Sequence, residues 1–164
     1  MRIYLWLLFI VMTFSQCGIY SFTGASIPLE VQTISIDYFP NHAELVNPAL
    51  SDLFTEALKD RFLSQSNLAL TNSDGDWDIK GAITNYVDRP SAVGASTSSL
   101  NRLTITVRVE FIDNTNIENS FEKSFSQYLD YDGSASLSDV EDGLVEDINK
   151  ELINDIFNKI AVNW

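Results

Sequence analysis

The clearest pattern in the chain is an alternation of apolar and polar side chains over residues 100–113. The apolar members are Leu103, Ile105, Val107, Val109 and Phe111. A period of two is typical of a strand with one buried face and one wet face. After the polar stretch "DNTNIEN", residues 120–129 continue the pattern with Phe121 and Phe125. The two segments predict a β-hairpin with one apolar side.

Two segments instead show helical spacing. Asn47 and Pro48 resemble a helix start, as an N-cap residue followed by proline in the first turn. The apolar residues that follow are Leu50, Leu53, Phe54, Ala57, Leu58 and Phe62. Near the end of the chain, Ser138 and Glu141 have capping-box spacing. A stripe then runs through Val140, Leu144, Ile148, Leu152, Ile156 and Ile160, which predicts a helix about 35–40 Å long.

The remaining strands are predicted from residues rich in Val, Ile, Thr and aromatics. They are residues 29–39, with a bulge near Gln32, and one strand over residues 68–70 and 77–87 that the turn-rich "TNSDGD" interrupts. Residues 88–99 are predicted as a loop. The order β-α-β-β-β-α predicts an α+β fold, with two helices packed on one face of a four-stranded mixed sheet. Its other face would carry Lys80, Thr84, Thr104, Thr106, Arg108, Glu110, Ser124 and Ser126.

The beginning of the chain has a different character. Residues 1–16, "MRIYLWLLFIVMTFSQ", combine Arg2 with an apolar run the length of a signal-peptide core. The following Cys17 is the only cysteine, and its position resembles a bacterial lipoprotein signal, although Phe14 and Gln16 depart from the usual pattern. We therefore expect a signal peptide over 1–16, lipid on Cys17, a tether over 17–28 and one domain over 29–164. A membrane anchor helix and a buried free cysteine are the alternatives.

Composition limits which partners, metal sites and catalytic groups this chain can have. A formal net charge of -13 repels phosphate backbones and argues against nucleic acid as a partner. The single His42, in "FPNHAEL", leaves few ways to build a proton relay or a metal site. The stretch "DGDWD" has Ile79 and Asn85 where an EF-hand needs glycine and an acid, so a turn is preferred over a calcium loop. We expect no metal, no cofactor and no enzymatic activity.

One group of cations is predicted beside the central strands: Arg89, Arg102, Arg108, Lys80 and Lys123. Two interpretations remain open. The cations are solvated charge on an acidic surface, or they contact the phosphates of a lipid, for which arginine has suitable bidentate geometry.

The whole mature chain resembles the LptE family of lipopolysaccharide-assembly lipoproteins. The resemblance is carried by "CGIYSFTG", "LVNPALSDLFTEALKDRFLSQ", "NRLTITVRVEF" with "FEKSFSQY", and "VEDGLVEDINKELINDIFNKIAVNW". It implies a protein anchored by lipid in the outer membrane, seated in the β-barrel LptD, assisting its assembly and binding lipopolysaccharide. The barrel contacts would then include Thr106, Ser124 and Arg89. The alternatives are a free-standing envelope lipoprotein that binds a small amphiphile or peptide between helices and sheet, and an enzyme.

Overall fold

In the part of the chain that the structure describes, five strands form one mixed sheet, and two α-helices cover one of its faces. The computed structural model of the protein describes residues 26–45, 47–91 and 99–162. In chain order the elements are β1 (Thr33–Ile36), α1 (Leu50–Gln65), β2 (Ala69–Thr71), β3 (Trp77–Ser91), β4 (Leu100–Asp113), β5 (Phe121–Asp132) and α2 (Leu137–Ala161). The strand order is β2-β1-β3-β4-β5.

The sheet has a parallel part and an antiparallel part. β1 pairs in parallel with both β2 and β3. β3, β4 and β5 form an antiparallel meander, with Val107 of β4 opposite Ile83 on one side and Phe125 on the other. The α+β class and the mixed sheet are confirmed, whereas the predicted number of strands is wrong, because β2 adds a fifth strand at the edge.

The core lies between the sheet and the helices. The alternation along β4 is confirmed: Val107 is fully buried and Phe111 is 1% exposed. From the other side, Ile148 and other α2 residues fill the same cluster. Phe62 of α1 and Phe157 of α2 meet edge to face, 5.1 Å between ring centroids, so the two helices also contact each other.

Several predicted boundaries are wrong. β1 is much shorter than 29–39: it begins only at Thr33, and the backbone N–H of Gln32 before it bonds to the Asp76 side chain instead of to a strand. The bulge lies in β3, between Ile83 and Asn85, and not near Gln32. β3 extends to Ser91 because β4 pairs along its entire length, so Arg89 lies in a strand rather than in the predicted loop.

The two helix starts also differ from the sequence prediction. α1 begins at Leu50 after Ala49. Asn47 lies two residues before Ala49, and its side-chain oxygen accepts from the Ala49 N–H at 3.0 Å. The capping box at Ser138 is wrong. Ser136 precedes α2, and Glu141 bonds to residues of other elements.

The stripes of both helices are rotated slightly from those predicted. Leu53 and Ala57, expected in the core, are exposed on α1. On α2, Val145 is buried while Leu144 is only partly buried against the core. The spacing of the apolar residues correctly predicted two helices, but it did not determine which face of each helix packs against the core.

The N-terminal boundary of the packed region lies before residue 28. Ser26 N–H donates to the carbonyl oxygen of Ala161 at 2.7 Å, and Ile27 packs against the core. The last residues of the predicted tether therefore contact the end of α2. The predicted leader and Cys17 lie outside the described residues. Within the described ranges, no helix combines the length and apolar character required to cross a bilayer.

Candidate functional site

The candidate site is the sheet surface turned away from the helices, which we call the open face. It consists of the outward residues of β3, β4 and β5. The cross-strand register arranges them in rows. From one end to the other, the rows are Lys80–Glu110–Glu122, Ala82–Arg108–Ser124, Asn85–Thr106–Ser126, Val87–Thr104–Tyr128 and Arg89–Arg102–Asp130. Polar and charged side chains thus predominate over this surface.

Hydroxyl groups occupy the centre of the open face. The Thr106 and Ser126 hydroxyl oxygens are 2.9 Å apart, within hydrogen-bond distance. The Thr84 hydroxyl donates to the Thr106 carbonyl at 3.3 Å. Ser124 is exposed beside them. Thr106 and Ser124 therefore lie on the same surface, as the sequence predicted, and they offer short donors and acceptors to a partner.

Arg102 is held by a neighbouring strand. Its Nε donates to Asp130 Oδ1 at 2.6 Å and its Nη2 to Oδ2 at 2.8 Å, a bidentate pair. The guanidinium also lies 3.8 Å from the centre of the Tyr128 ring. The hydrogen bond from Arg102 lowers the pKa of Asp130. Sequence reasoning missed Tyr128 and Asp130; aligning the hairpin strands in antiparallel register would have found both.

The other predicted cations have different surroundings. Arg108 forms an ion pair with Glu122. Lys80 is exposed in a row with two glutamates. Lys123 is on the opposite face of the sheet, where its Nζ lies 4.9 Å from the centre of the Phe125 ring. The prediction of one compact cation group is therefore wrong. Lys123 is two residues before Phe125 on the same strand, so its side chain projects to the same face of the sheet as Phe125, which points to the core.

Arg89 and Arg102 together form the cationic end of the open face. They are direct cross-strand neighbours, an arrangement of like charges that is unfavourable without an anion nearby. Asp130 engages Arg102. Arg89 is exposed and forms no ion pair within the described parts of the chain. With Asn85 and Thr104 the two arginines line a shallow pocket.

The acidic stretch "DGDWD" is a turn held by protein donors. Asp76 Oδ2 accepts from the N–H groups of Gln32 at 2.8 Å and Thr33 at 2.9 Å, and from the Thr33 hydroxyl at 2.9 Å. These bonds, from Gln32 first, lower the pKa of Asp76. Asp78 accepts from the Gly75 N–H and from Asn114. No group of three potential metal ligands occurs among the described residues.

His42 lies at the surface between β1 and α1. Its side chain is exposed, and its backbone N–H donates to the Ile83 carbonyl at 2.8 Å. The residue thus ties the segment after β1 to β3.

A partly buried polar contact joins α2 and the segment before α1 to the sheet. The Tyr86 hydroxyl donates to Glu141 Oε1 at 2.5 Å, and Asn47 Nδ2 donates to the same oxygen at 3.0 Å. Burial, followed by the bond to Glu141, raises the pKa of Tyr86 far above its ordinary value. The contact fixes the start of α2 against β3 and against the start of α1.

Comparison with known proteins supplies the family. The family model described as "LptE: Lipopolysaccharide-assembly" matches residues 31–160. A minor lipoprotein from Acinetobacter baumannii has a similar structure, with a TM-score of 0.55, 16% identity, and coverage of 81% of this chain and 94% of that one. The uncharacterized lipoprotein B from Nitrosomonas europaea has a TM-score of 0.45 and 15% identity over 82% of this chain and 90% of its own. A search of curated proteins finds no significant match. At these identities the structural likeness concerns the fold alone.

Proposed function

Because the chain belongs to the LptE lipopolysaccharide-assembly family, we propose that it is the lipoprotein partner of an LptD-type outer-membrane β-barrel. In this role it is seated in the barrel, helps the barrel to assemble and takes part in moving lipopolysaccharide to the cell surface. The function is one of binding and assembly and not of catalysis.

The open face is the observation that carries this proposal. A sheet covered by helices on one side and bearing hydroxyls and charges on the other suits a wet interface rich in hydrogen bonds. Thr106 and Ser124 are central on that face, and Arg89 is at its cationic end. We propose these three residues as contacts to the polar interior of the barrel.

Attachment to the outer membrane is a second part of the proposal. We propose that the leader over 1–16 is removed and that Cys17 carries the lipid. Several acyl chains on one residue hold a protein on a bilayer more firmly than one chain does.

Contact with lipopolysaccharide is proposed at the cationic end of the open face. Arg108 forms an ion pair with Glu122, and Lys80 lies beside Glu110 on the next strand. The charge of each is therefore already partly neutralised and less available to a phosphate. Arg89 is exposed next to Arg102, where an anion would relieve the repulsion between the two. Arg89 is therefore the first residue to test.

Site-specific photo-crosslinking in living cells tests the barrel contact. Crosslinkers at Thr106, Ser124 and Arg89 should capture a large outer-membrane barrel. The matched control is Glu151, which is exposed on α2 and lies on the helix side. Equal capture from the control position, or none from the open face, would contradict the proposal.

Lipid binding is tested separately with purified protein and lipopolysaccharide. Arg89→Ala should weaken binding about fivefold, as expected for one charge-assisted contact worth about 1 kcal/mol, and should leave barrel capture intact. Lys150→Ala removes the same charge from an exposed position on α2 and serves as the control. If both variants bind like wild type, the lipid contact lies elsewhere.

The alternative of an amphiphile bound between helices and sheet is less well supported. That space is occupied by core side chains, including Ile105 and Leu152, which are fully buried. A ligand there would have to displace a packed core.

A further inference from the structure

A second surface with binding character lies between the two helices, separate from the open face. We call it the helix groove. It encloses about 530 Å³ and is lined by Asn47, Ala49, Leu53 and Ala57 on one side and by Asp142, Val145, Glu146 and Asn149 on the other. Since the helices cover the opposite side of the sheet, the helix groove shares no residue with the open face.

The most unusual group in the helix groove is the carboxamide of Asn149. The residue is only 5% exposed, and its Oδ1 has no hydrogen-bond partner in the part of the chain that the structure describes. An unpaired polar group in a buried position costs folding free energy, so natural proteins rarely retain one without a reason. The Oδ1 atom itself is closed off from solvent, so the Nδ2 end of the carboxamide is the part that can donate to the C=O of a peptide backbone in the groove.

The rest of the helix groove combines an apolar floor with acidic walls. Leu53 is 56% exposed and Ala57 is also exposed, although the residue that follows each of them on α1 is buried. Asp142 and Glu146 are exposed one turn apart on α2. Such a surface suits an occupant with an apolar side chain and cationic neighbours, and it repels anionic headgroups.

We propose that the helix groove binds a basic polypeptide segment of a partner protein. An apolar side chain of the segment packs on Leu53 and Ala57, a backbone C=O accepts from Asn149, and flanking lysines or arginines face Asp142 and Glu146. The proposal does not depend on the barrel or on lipopolysaccharide, because it uses neither the open face nor its arginines.

The first test measures binding of a fluorescein-labelled Lys-Leu-Ala repeat peptide by anisotropy. The protein is the full mature chain in a non-ionic detergent, with empty micelles as blank. The double substitution Asp142→Asn/Glu146→Gln should weaken binding about tenfold. The control Asp147→Asn/Glu151→Gln makes the same charge change at exposed positions of the same helix and should change the Kd less than about twofold. Equal losses in both variants would indicate general attraction to an acidic protein and would overturn the proposal.

The second test separates binding from folding. Asn149→Leu should weaken peptide binding about tenfold, yet raise the melting temperature by about 2–4 °C, because it removes an unpaired buried amide. A merely structural asparagine would give the opposite, a lower melting temperature with unchanged binding.

The apolar floor is tested in the same assay. Leu53→Lys places a cation in the groove and should abolish binding of the basic peptide. Leu63→Lys, at another exposed position of α1, should not. Binding that survives Leu53→Lys would rule out the groove as the site.

Discussion

Replacing Asp76 with alanine tests whether the acidic turn before β3 is a structural clamp. The Oδ2 atom of Asp76 accepts three hydrogen bonds, two from the backbone at the start of β1 and one from the Thr33 hydroxyl. Asp76→Ala removes all three, whereas the bond from the backbone N–H of residue 76 to Thr33 Oγ1 and the parallel pairing of β1 with β3 remain. The change should destabilise the whole domain, because β1 lies between β2 and β3 in the sheet.

The expected loss follows from the number and exposure of these bonds. A hydrogen bond to a charged group contributes about 1.5–3 kcal/mol when sheltered, and less when water replaces it. Asp76 is half-buried, so about 1 kcal/mol per bond is reasonable, or about 3 kcal/mol in total. In a protein of this size each 1 kcal/mol lowers the melting temperature by about 2–4 °C, which gives a fall of about 6–12 °C. Asp76→Asn keeps an acceptor oxygen and should cost about 1 kcal/mol.

Circular dichroism melts at neutral pH measure the effect. Asp74→Asn is the control, because Asp74 is exposed and, among the residues that the structure describes, its side chain bonds only to the neighbouring Ser73. Asparagine also tolerates the positive φ of 54° at this position. The control should melt within about 2 °C of wild type.

The stabilisation that Asp76 provides should depend on pH in one direction only. Hydrogen bonds lower the pKa of Asp76 in the folded protein. Its contribution is therefore complete above the unfolded pKa of about 3.9 and is lost as the pH falls through the folded value. The difference between wild type and Asp76→Ala should shrink below about pH 4. A difference in melting temperature that stays the same at every pH would refute the structural clamp. So would a wild-type protein that calcium stabilises and an Asp76→Ala variant that calcium does not.

Three further predictions concern the core, the anchor and the buried tyrosine. Val107→Asp should unfold the domain by burying an unpaired charge, whereas Thr106→Asp on the open face should melt close to wild type; equal melts would contradict the strand register. Cys17→Ala should release the protein from membranes with its melting temperature unchanged, and mass spectrometry should find acyl mass on wild-type Cys17 only. Tyr86→Phe should cost about 1.5–3 kcal/mol in urea unfolding by removing the bond to Glu141. Because the pKa of Tyr86 is raised, wild type should lose stability as the pH rises above about 10, and Tyr86→Phe should lack that component.

Local periodicity was sufficient for the elements that carry most of the core. The alternation along β4 predicted which residues face the helices, because a strand with one wet face leaves a period of two. The two helices were equally clear. Their exact faces were not, since Leu53 and Val145 depend on how the helices pack against each other.

Long-range pairing explains most of what the sequence did not reveal. β2 has only three residues and exists because β1 pairs with it in parallel. Residues 88–99 were predicted as a loop, but β4 pairs with β3 as far as Ser91. Since β1 pairs only with the beginning of β3, Pro90 lies where β3 has a single neighbouring strand, which is the kind of edge position where proline occurs in sheets. The bond from Tyr86 to Glu141 spans 55 positions, and no local pattern indicates it.

The candidate site was predicted only in part, again because local patterns do not show how distant segments pack. Thr106 and Ser124 follow from alternation alone. The position of Lys123 was available from its spacing to Phe125, yet the residue was grouped by charge instead of by face. Asn149 gave no signal, because a polar residue in a helical stripe is usually solvated, and only the packed structure reveals its burial.

The place of β1 in the sheet has a consequence for how the chain folds. β1 comes first in the sequence but lies between β2 and β3, both of which follow it. During synthesis β1 emerges first of the five strands, with both of its hydrogen-bonding edges unsatisfied until later residues arrive. The β3–β4–β5 meander closes short loops and should form early, whereas insertion of β1 should come late, since non-local parallel pairing is slow. Pulsed hydrogen exchange during refolding should therefore protect the amides of Ile105 and Val107 before those of Ile34 and Ile36, and the reverse order would exclude this folding sequence.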